Sequence, residues 1–291
     1  MHKHLILIIF TLIISCNHGN LKKLSNLPTK LNEVSGIETV LNSDLIWMIN
    51  DGGNPASIYG VNKKGDIKKE LKIKAKNNDW EDLTSDDKRN IYIGDFGNNN
   101  NDRKNLSVLK VNNDALNESK KIKVEKIQFK YPDQNEFPPH KDNWHFDCEA
   151  FFYYKDSLFL FTKSRTNKNF GQTSLYKIPA KSGKYIAQYI ATFNTGNGME
   201  SWVTAADISE DGKMVTLLTP KFVWIFSNYK STNFFNGTVA KLTLEENSQK
   251  EGICFKNNNT LYITDEKSHG FEGSLYSLKL QQPNQLLETK P

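Results

Sequence analysis

What this 291-residue chain lacks narrows it first. It has three cysteines, Cys16, Cys148 and Cys254, with no CxxC spacing, so zinc and iron–sulfur sites have no support. Charge of neither sign dominates: 38 Lys and Arg stand against 33 Asp and Glu, a net +5, which leaves no basic footprint for nucleic acid. The most apolar stretch, Leu5 to Ile14, has 10 residues, whereas a bilayer-spanning helix needs roughly 20. GxSxG, HExxH, P-loop and EF-hand motifs are all missing.

What is there is a repeat. With 37% hydrophobic and 11% aromatic residues the chain can build a core, and the segments "SGIETV", "EDLTSD", "EAFFYY", "ADISED" and "EGICFK" each lead through a polar turn into an apolar run. Those runs ("LIWMIND", "NIYIGD", "LFLFTK", "MVTLLTP", "LYITDE") have strand composition and are followed by a third strand and a weaker fourth. Taking Ile37, Leu83, Phe151, Ile208 and Ile253 as equivalent gives spacings of 46, 68, 57 and 45. That is the period of four-stranded propeller blades, roughly 40 to 50 residues plus insertions. The fold class expected is therefore all-β, a β-propeller of five blades. A sixth would have to come from the 68-residue gap, too short for two blades at roughly 40 residues each. The last copy lacks a fourth strand, and "LKKLSNLPTKL" near the N-terminus is expected to supply it and close the ring. "YPDQNEFPPHKDNWHFD", with His140 and His145, reads as an insertion loop, and Trp47, Trp80 and Trp202 as core between blades.

In such a blade the start of the first strand and the end of the second emerge at the same mouth of the central channel. Glu81 and Asp95, 14 positions apart, are related in this way, as are Glu251 and Asp265. Glu149 holds the same place in the third repeat, with Thr162 and Lys163 opposite; the first repeat offers Ser35, Asn50 and Asp51, and the fourth Ala206 and Asp207. Asn98 follows Asp95 at the same mouth. Carboxylates gathered this closely repel one another unless they are neutralised. A hard cation such as Ca²⁺ could sit on Glu81, Glu149 and Glu251. Alternatively Lys163, Arg165 and Arg103 could form ion pairs over the mouth, or the carboxylates could accept backbone N–H bonds in the loop ends. The sequence leaves all three open.

The first sixteen residues, "MHKHLILIIFTLIISC", read as an export signal, and "IISC" resembles the bacterial lipoprotein signal. The organisation expected is a signal peptide over 1–15, a lipidated tether and closing strand over 16–30 starting at Cys16, and one propeller domain over 31–291. That places the protein outside the cytoplasm, lipid-anchored to a bacterial membrane. At "SGI", "MINDGGNP", "NDWEDLTSD", "YIGDFGNNNNDR", "DCEAF", "TAADISEDG" and "KEGICF" the chain resembles secreted bacterial β-propellers of the SdiA-regulated and phytase-like esterase group. That resemblance implies a channel-mouth site at Asn50, Asp51, Glu81, Asp95, Glu149, Asp207 and Glu251. The function expected is binding of a small polar ligand or an envelope protein by a monomer, through Ca²⁺ at the mouth. The alternatives are a metal-dependent hydrolase of a phosphate ester or lactone, and an envelope scaffold.

Overall fold

A computed structural model describes residues 18–117, 121–166, 168–244, 248–267 and 272–280. The export signal and Cys16 lie outside the described residues. Five four-stranded units follow one another. Blade one is Val34–Thr39, Ile46–Asn50, Ser57–Val61 and Ile67–Lys72, from inner to outer strand. Blade two is Trp80–Ser85, Ile91–Asp95, Ser107–Val111 and Glu125–Lys130. Blade three is Asp147–Tyr154, Ser157–Lys163, Gln172–Pro179 and Gln188–Asn194, and blade four is Ala205–Ile208, Met214–Leu218, Phe222–Ser227 and Thr238–Leu244. Blade five takes three strands from the end of the chain, Lys250–Asn257, Thr260–Asp265 and Ser274–Lys279, and its outer strand, Leu21–Asn26, from the beginning. The closing strand expected from the missing fourth strand is thus present, antiparallel to Ser274–Lys279.

Each blade is twisted and buries both faces of its inner strands, so apolar residues pack between blades. Five buried clusters result, one at each interface. Trp47 and Trp80 lie in the cluster between blades one and two. Cys148 and Cys254 are buried free thiols on the inner strands of blades three and five. The insertion between blades two and three is a loop with one 3₁₀ turn, Lys141–Asn143, held by Trp144 Nε1 donating to the Pro139 carbonyl at 3.0 Å.

A second device ties successive blades. The residues entering an outer strand first run parallel to the outer strand of the preceding blade: Ile122 bridges to Ile73, Gly183–Ile186 pairs with Glu125–Lys130, and His18–Gly19 pairs with Thr238–Leu244. These links cover two outer strands whose edges would otherwise be open.

Candidate functional site

In blades one, two, three and five the inner strand carries a β-bulge at its mouth end, between Val34 and Gly36, Trp80 and Leu83, Cys148 and Ala150, and Lys250 and Gly252. A bulge expels a residue from the ladder and re-aims it. Those expelled are Ser35, Glu81 with Asp82, Glu149 and Glu251, and all but Asp82 line one cavity of about 940 Å³. Blade four pairs in regular register there, Ala206 opposite Leu217, and contributes Thr204 to the cavity instead.

On one side of the mouth every acid has a cation. Lys163 Nζ lies 2.6 Å from Glu149 Oε1, and Arg165 Nε lies 2.6 Å from Asp147 Oδ2. Both cations sit over the Trp202 ring at 5.1 Å, and Trp202 is stacked on Phe170 at 4.7 Å with its Nε1 donating to the Ser164 carbonyl. Trp202 is therefore a half-buried clamp in the cavity wall, not the core residue expected from the sequence. Burial works against the Lys163 charge, but the neighbouring Glu149 and Asp147 carboxylates outweigh it and hold its pKa above the usual lysine value. Arg103 Nη2 meets Asp95 Oδ1 at 3.0 Å, and its Nη1 donates to the Gly97 carbonyl at 2.6 Å.

Several residues expected at the mouth are engaged elsewhere. Asp95 and Asp265 end their second strands and clasp the loop before their own inner strand: Asn78 Nδ2 donates to Asp95 and Ser248 Oγ to Asp265, each at 2.7 Å. Of the two, Asp265 also lines the cavity, and accepts from Ser274 N and Tyr276 OH. Asn50 is buried, with its amide donating to the Lys30 carbonyl. Asn98 is buried and ties its loop to blade three, its N–H donating to Asp147 Oδ1 and its amide to the Phe146 carbonyl; the neighbouring Asn99 lines the cavity. Asp207 lies deeper along the channel wall, where it accepts the Phe255 N–H of blade five at 2.6 Å. Asp82, in the equivalent position of blade two, accepts Phe151 N–H of blade three at 3.1 Å. His145 touches Ser164 and lies away from the cavity lining.

The other side of the mouth is different. Asp51, Asp79 and Glu81 each bring a carboxylate oxygen within 4.8 Å of the others. Glu81 is 8% exposed, and among the described residues neither its carboxylate nor that of Asp79 has a hydrogen-bond donor or an ion-pair partner. Burial, then the nearby Glu149 and Asp51, push the Glu81 carboxyl well above the ordinary range; burial, then Asp51, push Asp79 up to about 6. The arc continues to Glu251, raised by burial, and to Glu266, pushed up to about 8 by burial and then by Glu251 and Asp51. Two glycines make room for the trio: a Cβ on Gly97 would collide with the Glu81 and Asp79 carboxylates, and one on Gly52 with that of Asp79. The three carboxylates read from the sequence as one ligand set thus have different company: Glu149 has Lys163, Glu81 has Asp51 and Asp79, and Glu251 has Glu266.

Asp79, Asp147 and Glu266 did not emerge from the sequence reading. The first two carry a signal there, because each precedes a ring glutamate by two residues, and alternate residues of a strand share a face.

No protein-family model matches the sequence, and no curated protein matches it. Among solved structures the chain is similar to a gluconolactonase from Xanthomonas campestris, at 10% identity over 94% of each chain with a TM-score of 0.51. It also aligns with a putative gluconolactonase (9% identity, 91% of this chain and 94% of that one, TM-score 0.46) and with virginiamycin B lyase from Staphylococcus aureus (14%, 88% and 69%, TM-score 0.42). At these identities the first likeness supports the β-propeller fold alone.

Proposed function

We propose that the mouth binds a divalent cation, with Ca²⁺ the best match, on Asp51, Asp79 and Glu81, and through it a small polar ligand. The propeller that carries the site is held outside the cytoplasm by a lipid on Cys16. One observation carries the cation: a nine-tenths-buried glutamate without a partner, beside two further carboxylates, across the mouth from acids that are each paired with a cation. A buried ionised carboxylate is costly unless something neutralises it. The donor set fits a hard cation, since all the ligands are oxygens and the two glycines form a cradle that a side chain would fill. Ca²⁺ takes 6 to 8 oxygens, more than three carboxylates readily supply, which leaves positions facing the cavity. Lys163 and Arg165, fixed on Trp202, then orient an oxygen-rich ligand from the opposite wall.

A second reading is hydrolysis of a lactone or phosphate ester. It is favoured by Glu266, in the same cavity and largely protonated at neutral pH, a state in which a carboxyl can donate a proton to a leaving group. A cation there would polarise the scissile group.

Titration calorimetry of chelator-treated protein with Ca²⁺ tests the principal reading. One site is expected in wild type, lost in Asp79→Asn and kept in Glu251→Gln. No heat at millimolar Ca²⁺, or binding indifferent to Asp79→Asn, would contradict it.

A further inference from the structure

We propose that Arg103, which stands behind the cavity wall, is the positioning residue of the cation site and sets its affinity by fixing Asp79 and Gly97. The inference deepens the cation reading of the proposed function and rests on it. It begins in the composition: the chain has 35 lysines and only three arginines, Arg89, Arg103 and Arg165. Two of the three are at the channel mouth, each in the loop after a second strand. Lysine carries the same charge; what arginine adds is a planar guanidinium that reaches several acceptors at once.

The loop that carries Arg103, "DFGNNNNDR", turns back on itself. Asn101, in the left-handed region at φ 52°, donates its N–H to the Asn98 carbonyl at 2.7 Å, a conformation that asparagine tolerates better than most residues. Asn98 and Asn101 are buried, and the turn is pinned from outside: the Asn101 side chain accepts the Phe146 N–H at 2.8 Å and its carbonyl the Gln134 amide at 2.7 Å. The Asn98 side chain accepts the Arg103 N–H at 2.9 Å. Arg103 is thereby returned to the end of the strand that the loop left, Ile91–Asp95.

There the guanidinium bridges the base of the loop. Its Nη2 donates to Asp95 Oδ1 at 3.0 Å and to the Asp95 carbonyl at 3.2 Å, and its Nη1 to the Gly97 carbonyl at 2.6 Å. Asp95 and Gly97 in turn hold Asp79. Asp95 Oδ1 accepts the Asp79 N–H at 3.3 Å, its Oδ2 accepts the Asn78 amide at 2.7 Å, and the Gly97 N–H donates to the Asp79 carbonyl at 3.2 Å. Both polar groups of the Asp79 backbone thus depend on residues that Arg103 ties together. Gly97 also forms the cradle wall against the Glu81 and Asp79 carboxylates, so a shift of Gly97 moves that wall. The Arg103 and Asp95 side chains are only 16% and 2% exposed, and a buried ion pair adds little net stability because of its desolvation. What the pair fixes here is the place of Asp79, and groups that orient a metal's ligands are typically worth about 10–100-fold in affinity.

Calorimetric titration of the chelator-treated full chain with Ca²⁺, in wild type, Arg103→Met, Arg103→Lys and Asn90→Ala, tests this. Asn90 braces the turn at the opposite end of the same hairpin, its N–H and its amide both donating to Asp86, so its loss loosens blade two away from the cradle. Arg103→Met is expected to weaken Ca²⁺ binding by about 10–100-fold, and Asn90→Ala to leave it unchanged. Arg103→Lys should recover only a minor part of the loss, because one ammonium cannot serve the acceptors that the guanidinium joins. Asp95→Asn combined with Arg103→Met should bind no more weakly than the weaker single variant, since the two residues act as one unit. Wild-type affinity in Arg103→Met would overturn the proposal. So would full recovery in Arg103→Lys, which would leave charge alone as the cause, or an equal loss in Asn90→Ala, which would make it a general loosening of the blade. A wild type that takes up no Ca²⁺ would remove the cation reading and this role together, whereas a wild type that binds beside an unaffected Arg103→Met would remove the role alone.

Discussion

The two halves of the channel mouth are built on the same repeat and neutralised differently. Around blade three the acids Asp147 and Glu149 meet Arg165 and Lys163, which arrive from the end of the second strand and the loop after it. Around blades five, one and two, Asp51, Asp79, Glu81, Glu251 and Glu266 have no cation within ion-pair distance among the described residues. Blade five even reverses blade three's pattern, with Lys250 opposite Asp265 where blade three has Asp147 opposite Lys163. The repeat dictates that acids gather at the mouth; the cations at the end of each second strand and in the loop after it decide which of them are paired.

The largest effect should come from breaking the paired half. Lys163→Met leaves Glu149 and Asp147 with Arg165 alone in a buried setting, and should lower unfolding free energy by about 3–5 kcal/mol, read from urea denaturation. A loss below about 1 kcal/mol would mean that the pair behaves like a surface salt bridge.

Neutralising one glutamate in each half sharpens the contrast, because the signs should differ. In chelator-treated protein Glu149→Gln removes a partner from Lys163 and should destabilise by about 1–3 kcal/mol. Glu81→Gln relieves repulsion and should stabilise on the order of 1 kcal/mol, the equivalent of roughly one pKa unit. The same sign for both would erase the distinction between the halves.

A smaller effect is expected in the pH dependence of the cation-free protein. Burial and neighbouring acids raise Asp79 from 3.8 to about 6 and Glu266 from 4.5 to about 8 in the folded state. The folded protein therefore keeps these protons after the unfolded chain has released them, and stability contributed by protonation is complete below the unfolded pKa and lost as pH rises through the folded one. Melting temperature should fall between pH 4 and 8 on this account, with Glu266→Gln flattening the upper part of the slope. A slope unchanged by that substitution would show that Glu266 titrates normally.

Much of this architecture was legible in the sequence. The spacing of Ile37, Leu83, Phe151, Ile208 and Ile253 marks the five inner strands, and the missing fourth strand after Ser274–Lys279 points to Leu21–Asn26. Ring positions two residues before those apolar anchors were legible too, because the repeat keeps them in phase. Ion pairing by Arg103, Lys163 and Arg165 was legible as one of three alternatives and is present, but which acids it leaves unpaired was not, since that depends on where these side chains return in space. Asp207 was read toward the mouth, yet it stands one residue nearer the apolar anchor than the ring position, and neighbouring strand residues face different ways. Trp202 looked like core because an indole usually is; only the fold shows two cations lying on its face.

The central claim is that the unpaired half awaits a cation, and calorimetric melting with and without Ca²⁺ tests it most directly. Binding to the folded state alone should add about 2.7 kcal/mol at a hundredfold excess over Kd. Wild type should therefore melt at a higher temperature with Ca²⁺, Glu149→Gln should keep most of that rise, and Glu81→Gln should lose it. A wild-type melting temperature indifferent to Ca²⁺, or a rise that survives Glu81→Gln, would contradict the account.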